Sequence, residues 1–484
     1  MQGKKNYQEK LFVTFQLSNY VPENNFYRKL NDALDLSFLY KSTAEYYGLE
    51  GQKSIDPVVF MKLMMVGYLE NINSDRKIIE VSRLRLDILY FIGYDIDEEL
   101  PWHSTLSRTR QLYGEHIFTD LFKRVLKQCI HLGMISGRRQ AVDGFFVKAN
   151  ASLDSLVEKE ILEDAELYSK ELKSNEEETT AAIKKLVPKP KESNSGLKPK
   201  KNPSNDTHYS PSDPDARLSV KPGKAHALNY LGQVSVDTAS HMITHIQAFT
   251  ADKRDSECLS AVLLRIKNNL LENELRLEEI VADKGYSSAD ALKALEANGI
   301  MGYIPNRGQF NYERKNFTYH PKGDYYECIN GIKVTYTGTY LIAGYWMKQY
   351  DTTGKNCTEC PIKDECFAYK AKQKRVVIKE TVEKPYYDRM HVRMETRKAK
   401  RLMKLRQSTV EPVIGTLVNY LGIKRVNVKG LDQANKCLTL AAVAYNLKKM
   451  LKHKPGTVEK AVKRCFKDLK LLLQAQYLHL TVYY

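Results

Sequence analysis

The stretch EEIVADKGYSSAD, residues 278–290, reads as a short buried strand that delivers Asp283 to its tip and then turns through Lys-Gly-Tyr-Ser. An aspartate there has an ordinary use, because Asp forms turns and starts helices by accepting from nearby backbone N–H groups. Its meaning therefore depends on whether other carboxylates meet it. Working outward, SSADALKALEANG reads as a helix and GIMGYIPN as a short strand, while a helix over 255–271 precedes the stretch. Before that, ALNYLGQVSVDTA (227–239) and HMITHIQAFT (241–250) are two alternating runs joined by a turn, a hairpin. Further upstream, RRQAVDGFFVKANAS (138–152) is a strand that carries Asp143. Strand, hairpin, helix, strand, helix, strand builds a mixed sheet with helices on its faces, an α/β layer architecture. Functional groups in such sheets gather beyond strand ends, and Asp143 and Asp283 are both placed for that.

The flanks differ in character. Residues 55–136 read as all-helical, with 57–70 and 75–92 as amphipathic helices started by Pro57 and Asp75. HSTLSRTR (103–110) supplies a Ser N-cap and a short helix bearing Arg108 and Arg110, either a recognition helix or a capped, solvated basic helix. Residues 153–186 read as a charged helix, and 187–224, rich in Pro, Ser, Lys and Asn, as a flexible linker that interrupts the sheet. After Asn306 comes a tyrosine-rich, β-prone stretch closed by CTECPIKDEC. Cys357, Cys360 and Cys366, with Cys328 upstream, are candidate thiolate ligands for a structural zinc; free thiols in a small β subdomain are the alternative.

Residues 386–407 contain eight Lys or Arg against two acids. Arg389, Arg393, Arg397, Arg401 and Lys404 recur at three- or four-residue steps, which predicts one basic helix face suited to phosphate contact. The helix after it carries Glu411, for which Ser408-x-x-Glu411 also reads as a capping box.

Composition bounds the function. The chain has 484 residues, 43% of them apolar, enough for a sizeable core and more than one domain. A formal charge of +17 and a pI near 9.2 favour a polyanionic partner, with nucleic acid the leading one. The start MQGKKNYQEKLFVTFQ lacks an apolar run after its charges, and no eighteen-residue apolar run occurs, which argues against secretion and membrane spanning. Eight cysteines without a secretory leader point to a reducing cytoplasm; Cys129, Cys258, Cys437 and Cys465 sit singly in apolar or helical surroundings.

VDGFFVKANAS, ALNYLGQVSVD, ADKGYSS, the VEPVIG helix and the ending AAVAYNLKKML, in that order, resemble the DDE transposases of bacterial insertion sequences over most of residues 55–452. The resemblance implies an RNase H-like mixed sheet with helices on both faces. It adds an all-helical N-terminal DNA-binding domain (1–136), a catalytic domain begun in 137–306 and finished in 386–454, a Cys-bearing β insertion (307–385) and a C-terminal segment (455–484). The family's three acids fall on Asp143, Asp283 and Glu411, which would hold two Mg²⁺ or Mn²⁺ ions about 3.5–4 Å apart for phosphoryl transfer on DNA. Members commonly carry a lysine seven residues after the glutamate, where this chain has Val418; Lys424, Arg425 and Lys429 are the nearby candidates for DNA-end contact. Expected partners are the element's terminal repeats and target DNA, bound by a dimer or larger assembly in the bacterial cytoplasm at the nucleoid. An RNase H-like nuclease or resolvase, and an inactive DNA-binding relative, are the alternative functions.

Overall fold

The computed structural model describes residues 14–48, 50, 54–159, 203–219, 226–308, 312–342, 344–352, 357 and 359–453. The C-terminal segment 455–484 and most of the charged helix expected over 153–186 lie outside these residues. The chain forms two compact units: Met1–Ser136 with Gly144–Lys253 and Glu411–Tyr484, and Gly137–Asp143 with Arg254–Val410. Among the described residues no helix is long and apolar enough to cross a membrane.

The first unit begins with helices α1 (Leu17–Tyr20), α2 (Phe26–Ala33), α3 (Phe38–Ser42), α4 (Pro57–Leu69), α5 (Asp75–Leu84), α6 (Leu86–Ile92), α7 (His103–Leu112) and α8 (Glu115–His131). Asp56 caps α4 by accepting from the Val58 and Val59 amides, with Pro57 at the first helical position. The single helix expected over 75–92 is two. Arg85 adopts an extended conformation between α5 and α6, and its guanidinium pairs with Glu70 at 3.1 Å and Asp87 at 2.7 Å, which fixes the break. Helix α7 starts at His103 behind Trp102, without the serine cap that the sequence suggested.

The same unit holds strands β2 (Val157–Glu158), β3 (His208–Tyr209), β4 (Arg217–Ser219), β5 (Ala227–Asp237) and β6 (Ile243–Thr250). Part of the expected linker is therefore ordered. β4 pairs antiparallel with the start of β5, and buried Asp213 accepts from the Tyr230 hydroxyl at 2.5 Å and the Gly430 amide at 3.0 Å. Polar composition hid this because the segment's stability comes from partners distant in the chain. The last helix of the unit, α13 (Leu431–Lys452), is buried all round from Ala434 to Leu447 and packs against α8, α4 and β6. So the N-terminal helices, expected as a separate domain, share a unit with β5 and β6. Two α13 amides also complete backbone pairing of β6: Asn446 bonds both the N–H and C=O of Ile243, and Asn435 accepts from Ala248.

The second unit contains α9 (Asp255–Leu271), β7 (Glu279–Val281), α10 (Ala289–Ala297), β8 (Met301–Tyr303), α11 (Lys384–Met394) and the first part of α12 (Arg397–Tyr420). Strand β1 (Arg139–Lys148) passes from this unit into the first, as α12 does. Around β1 the hydrogen-bonded order is β4-β5-β1-β7-β8, with β6 on β5; β5 and β6 are antiparallel, whereas β1, β7 and β8 run parallel. Counted along the chain from β1 without the short edge strand β4, that is third, second, first, fourth, fifth, the RNase H-like order that the resemblance implied. Ala399 and Leu402 of α12 pack on Val281 and Tyr303, seating this helix on β7 and β8.

The Cys-bearing insertion is a separate antiparallel sheet of β9 (Phe317–His320), β10 (Tyr325–Cys328), β11 (Lys333–Ile342), β12 (Tyr345–Asp351), β13 (Tyr369–Lys370) and β14 (Arg375–Thr381), ordered β13-β14-β12-β11-β10-β9. The basic stripe does not lie on one helix: α11 ends before Glu395 and Thr396, where the Thr396 hydroxyl accepts from the Ala399 amide at 3.1 Å and starts α12. Arg389 and Arg393 belong to α11, and Arg397, Arg401 and Lys404 to α12.

Candidate active site

Asp143 and Asp283 are brought together by strand register. In the parallel pair β1 and β7, Arg139 lies opposite Glu279, Gln140 opposite Ile280 and Ala141 opposite Val281. Strand β7 ends at Val281, and the same register continued two residues further would set Asp143 level with Asp283, which starts the following turn. Neighbouring strands stand roughly 4.8 Å apart, and residues at one level of a parallel pair point to one face. Both side chains are half-buried at the carboxyl end of the pair.

Beyond β7 the chain closes a tight turn over Lys284–Tyr286, and the Asp283 carboxylate accepts from the Gly285 amide at 2.8 Å. A Cβ at position 285 would stand 2.9 Å from Asp283 Oδ1 and 3.2 Å from Asp255 Oδ2, so a side chain there would push the Asp283 carboxylate from its place. Asp255, the first residue of α9, is thus a third carboxylate at this spot. The sequence reading passed over it as a helix start. Beneath lies Tyr286, fully buried, whose hydroxyl is pushed well above its ordinary pKa by burial first and then by the charges of Asp255, Asp143 and Asp283.

Arg406 answers that negative charge. Its Nη2 lies 2.7 Å from Asp143 Oδ2, with the two side chains only 7% and 17% exposed. A buried pair of this kind persists because either partner alone would be an uncompensated charge. The sequence stripe included Arg401 and Lys404 but missed Arg406, which sits at apolar-face spacing with buried Leu402, Thr409 and Val413. An arginine on a buried face was the available signal.

Glu411 lies five residues further along α12 and is exposed. It is mid-helix, so the capping-box reading fails: Ser408 Oγ donates to the Leu405 carbonyl at 3.0 Å instead. Pro412 follows it inside the helix and removes one amide from the ladder.

The basic candidates divide. Arg397, Arg401, Lys404, Lys424, Arg425 and Lys429 are exposed, Arg425 donating to Asn150 at 3.0 Å. Arg108 is exposed, but Arg110 is buried, paired with Asp75 and lying against Met64 sulfur, so its charge is already engaged inside the unit. Arg389 forms a two-bond pair with Glu296, and Arg393 donates to the Gly302 carbonyl at 2.9 Å. Cys328, Cys357, Cys360 and Cys366 are free of disulfides and line one small cavity of the insertion. Among the described residues, no three His, Cys, Asp or Glu side chains stand close enough together to hold a metal ion as they are.

Two family models match this chain: a transposase domain (DUF772) over residues 15–112, and a transposase DDE domain over residues 327–451, which includes Glu411. No curated protein matches it. Among solved structures, it is similar to a piggyBac transposase synaptic complex with hairpin DNA at 9% identity and TM-score 0.31, covering 88% of this chain and 74% of that one. A Mos1 transposase paired-end complex with left transposon end follows at 9% identity and TM-score 0.16, covering 55% and 64%. Likeness at those scores is too slight to bear on the fold, which rests on the strand order. The two domain matches occur in the order that the sequence motifs predict, and both being transposase domains they support a DDE transposase of insertion-sequence type.

Proposed function

We propose that this transposase binds the terminal repeats of its element and catalyses metal-dependent DNA strand cleavage and strand transfer, with Asp143, Asp283 and Glu411 as its catalytic carboxylates. The observation that supports the reading is the parallel β1–β7 register, which, continued two residues past β7, would set Asp143 beside Asp283. The donor set suits Mg²⁺ or Mn²⁺, since hard cations take oxygen ligands and keep waters of their own. Two such ions would supply an activated attacking oxygen and relief of charge on the leaving 3′ oxygen.

The chain's own residues do the positioning. The Gly285 amide fixes the rotation of the Asp283 carboxylate, and Arg406 holds one oxygen of Asp143, so each acid is aimed before DNA arrives. Water as the attacking group exposes a 3′ hydroxyl at the element's end, and that hydroxyl then attacks target DNA; both steps are phosphoryl transfers at one site. Exposed Arg108, Arg397, Arg401, Lys404, Lys424, Arg425 and Lys429 serve phosphate contact, with Arg389 and Arg393 joining where DNA displaces their present partners. Pairing two element ends calls for a dimer or larger assembly on DNA, in the cytoplasm at the nucleoid.

The test is cleavage and joining of labelled DNA carrying the element's own ends, with Mg²⁺ or Mn²⁺, for wild type and Asp283→Asn. Metal-dependent nicking and joining that disappear in the variant while DNA binding persists is the expected result. Undiminished chemistry in Asp283→Asn removes that residue from the site, and wild-type binding without chemistry leaves a DNA-binding relic.

A further inference from the structure

The insertion sheet has a small interior. Its buried cluster consists of Tyr326, Val334, Tyr350, Cys357, Ala368, Val376 and Ile378. A core of that size supplies little of the burial that holds a domain, and small domains of this kind commonly replace the missing core with a metal or with disulfides. No disulfide joins its cysteines.

The four thiols instead border one space. Cys328, Cys357, Cys360 and Cys366 line one cavity of about 30 Å³, whose remaining walls include the apolar side chains of Phe317, Ile332 and Val376. They reach it from three separate turns. Cys328 ends β10 at a turn in which its carbonyl accepts from the Gly331 amide at 2.8 Å, Cys357 and Cys360 flank a turn with Cys360 N to Cys357 O at 3.4 Å, and Cys366 closes the turn over Lys363–Glu365. A donor also aims at one sulfur, Asn330 Nδ2 lying 3.2 Å from Cys360 Sγ, and Thr352 Oγ1 lies 3.6 Å from Cys357 Sγ. An amide donor on sulfur favours the thiolate, the form that binds metal.

We propose that Cys328, Cys357, Cys360 and Cys366 bind one structural Zn²⁺ that stands in for the core of the insertion sheet. Four thiolates are the donor set that zinc takes in closed tetrahedral sites, with no position left for water or substrate. Each thiol gives its proton to solvent as its sulfur takes a coordination position, so the site fills at neutral pH and empties in acid. The sulfurs line the space without being drawn into a cage, and rotation of the side chains about Cα–Cβ closes it on the ion. The site is separate from the acids of the catalytic reading and does not depend on them.

The experiment uses the full chain purified with zinc present. Elemental analysis is expected to find about one zinc per chain, the stoichiometry of a single closed site. Cys360→Ser and Cys366→Ser lose it, and Cys129→Ser keeps it. Asn330→Ala retains the ligands but weakens zinc binding roughly tenfold or more, the usual effect of removing a supporting donor. Cobalt substitution of the wild type gives the thiolate-to-metal absorption of a tetrahedral sulfur site, a readout that stands even where a serine variant fails to fold. No cobalt band on adding Co²⁺ to metal-free wild type, full zinc in Cys360→Ser, or a Cys357–Cys360 disulfide that persists in protein purified under reducing conditions overturns the proposal.

Discussion

Arg406 carries its charge on the buried face of a helix, where a leucine would pack more cheaply. It is kept there by Asp143, and Asp143 by it. Replacing Arg406 by Gln leaves a mostly buried carboxylate without its counter-charge, beside Asp283 and Asp255. The expected loss is about 3–5 kcal/mol, the cost of breaking a buried pair from one side, read by chemical denaturation in the presence of a chelator. A cation bound at the acids then substitutes for the lost guanidinium, so Mn²⁺ raises the melting temperature of Arg406→Gln more than that of wild type. A loss under about 1 kcal/mol, the level of an exposed pair, together with equal responses to Mn²⁺, shows that Arg406 is not the counter-charge. Asp255 has the same lesson in reverse. At the head of α9 it reads as a helix-starting acid, and only the closeness of Gly285 reveals that it shares the ground of Asp283.

At the scale of elements, Glu279 joins three of them. It starts β7, pairs with Arg139 on β1 and is reached by Lys398 from α12. Burial alone would raise its pKa, but the hydrogen bonds from Lys398 and Arg139 outweigh burial and hold the carboxyl below its ordinary range. A group depressed in the folded state contributes stability that is present above its unfolded pKa, about 4.3, and is lost as pH falls through the folded value. Glu279→Gln is therefore expected to be less stable than wild type at neutral pH and to show a shallower loss below about pH 4.3. Denaturation midpoints across an acid series check this; parallel curves for the two proteins rule out the clamp. Asp143 lies on β1, Arg406 on α12 and Asp283 two residues past β7, so the clamp supports the register of the strands that lead to the two acids.

For the whole molecule, the charge of +17 is unevenly useful. Many cations are already engaged, Arg110 by Asp75 and Arg389 by Glu296 among them. Only side chains that meet phosphate release counterions and steepen the salt dependence of DNA binding. Arg401→Ala and Lys404→Ala, at exposed positions on α12, are each expected to reduce the log–log salt slope by about 0.9, the share of one neutralised phosphate. Arg110→Ala leaves that slope unchanged and lowers stability instead. Filter binding or fluorescence anisotropy over a salt series separates the two, and unchanged slopes in both α12 variants remove this face from the DNA surface.

The sequence by itself determined the elements that depend on neighbours in the chain. Alternation over 227–250 produced the hairpin, helical periodicity produced α9 over the very residues expected, and the strand before Asp283 ends where the turn chemistry begins. It also selected Asp143 and Asp283, because strand ends and turn residues are local signals. Tertiary structure alone decided what these residues face. The register of β1 against β7 spans 140 residues and is braced by the pairing of Arg139 and Glu279. Likewise the split of the basic stripe at Glu395 and Thr396, the burial of Arg110 and the ordering of β4 beside β5 follow from partners far along the chain. Periodicity reports which face of an element is apolar; it carries no information about which distant charge or strand will lie against that face.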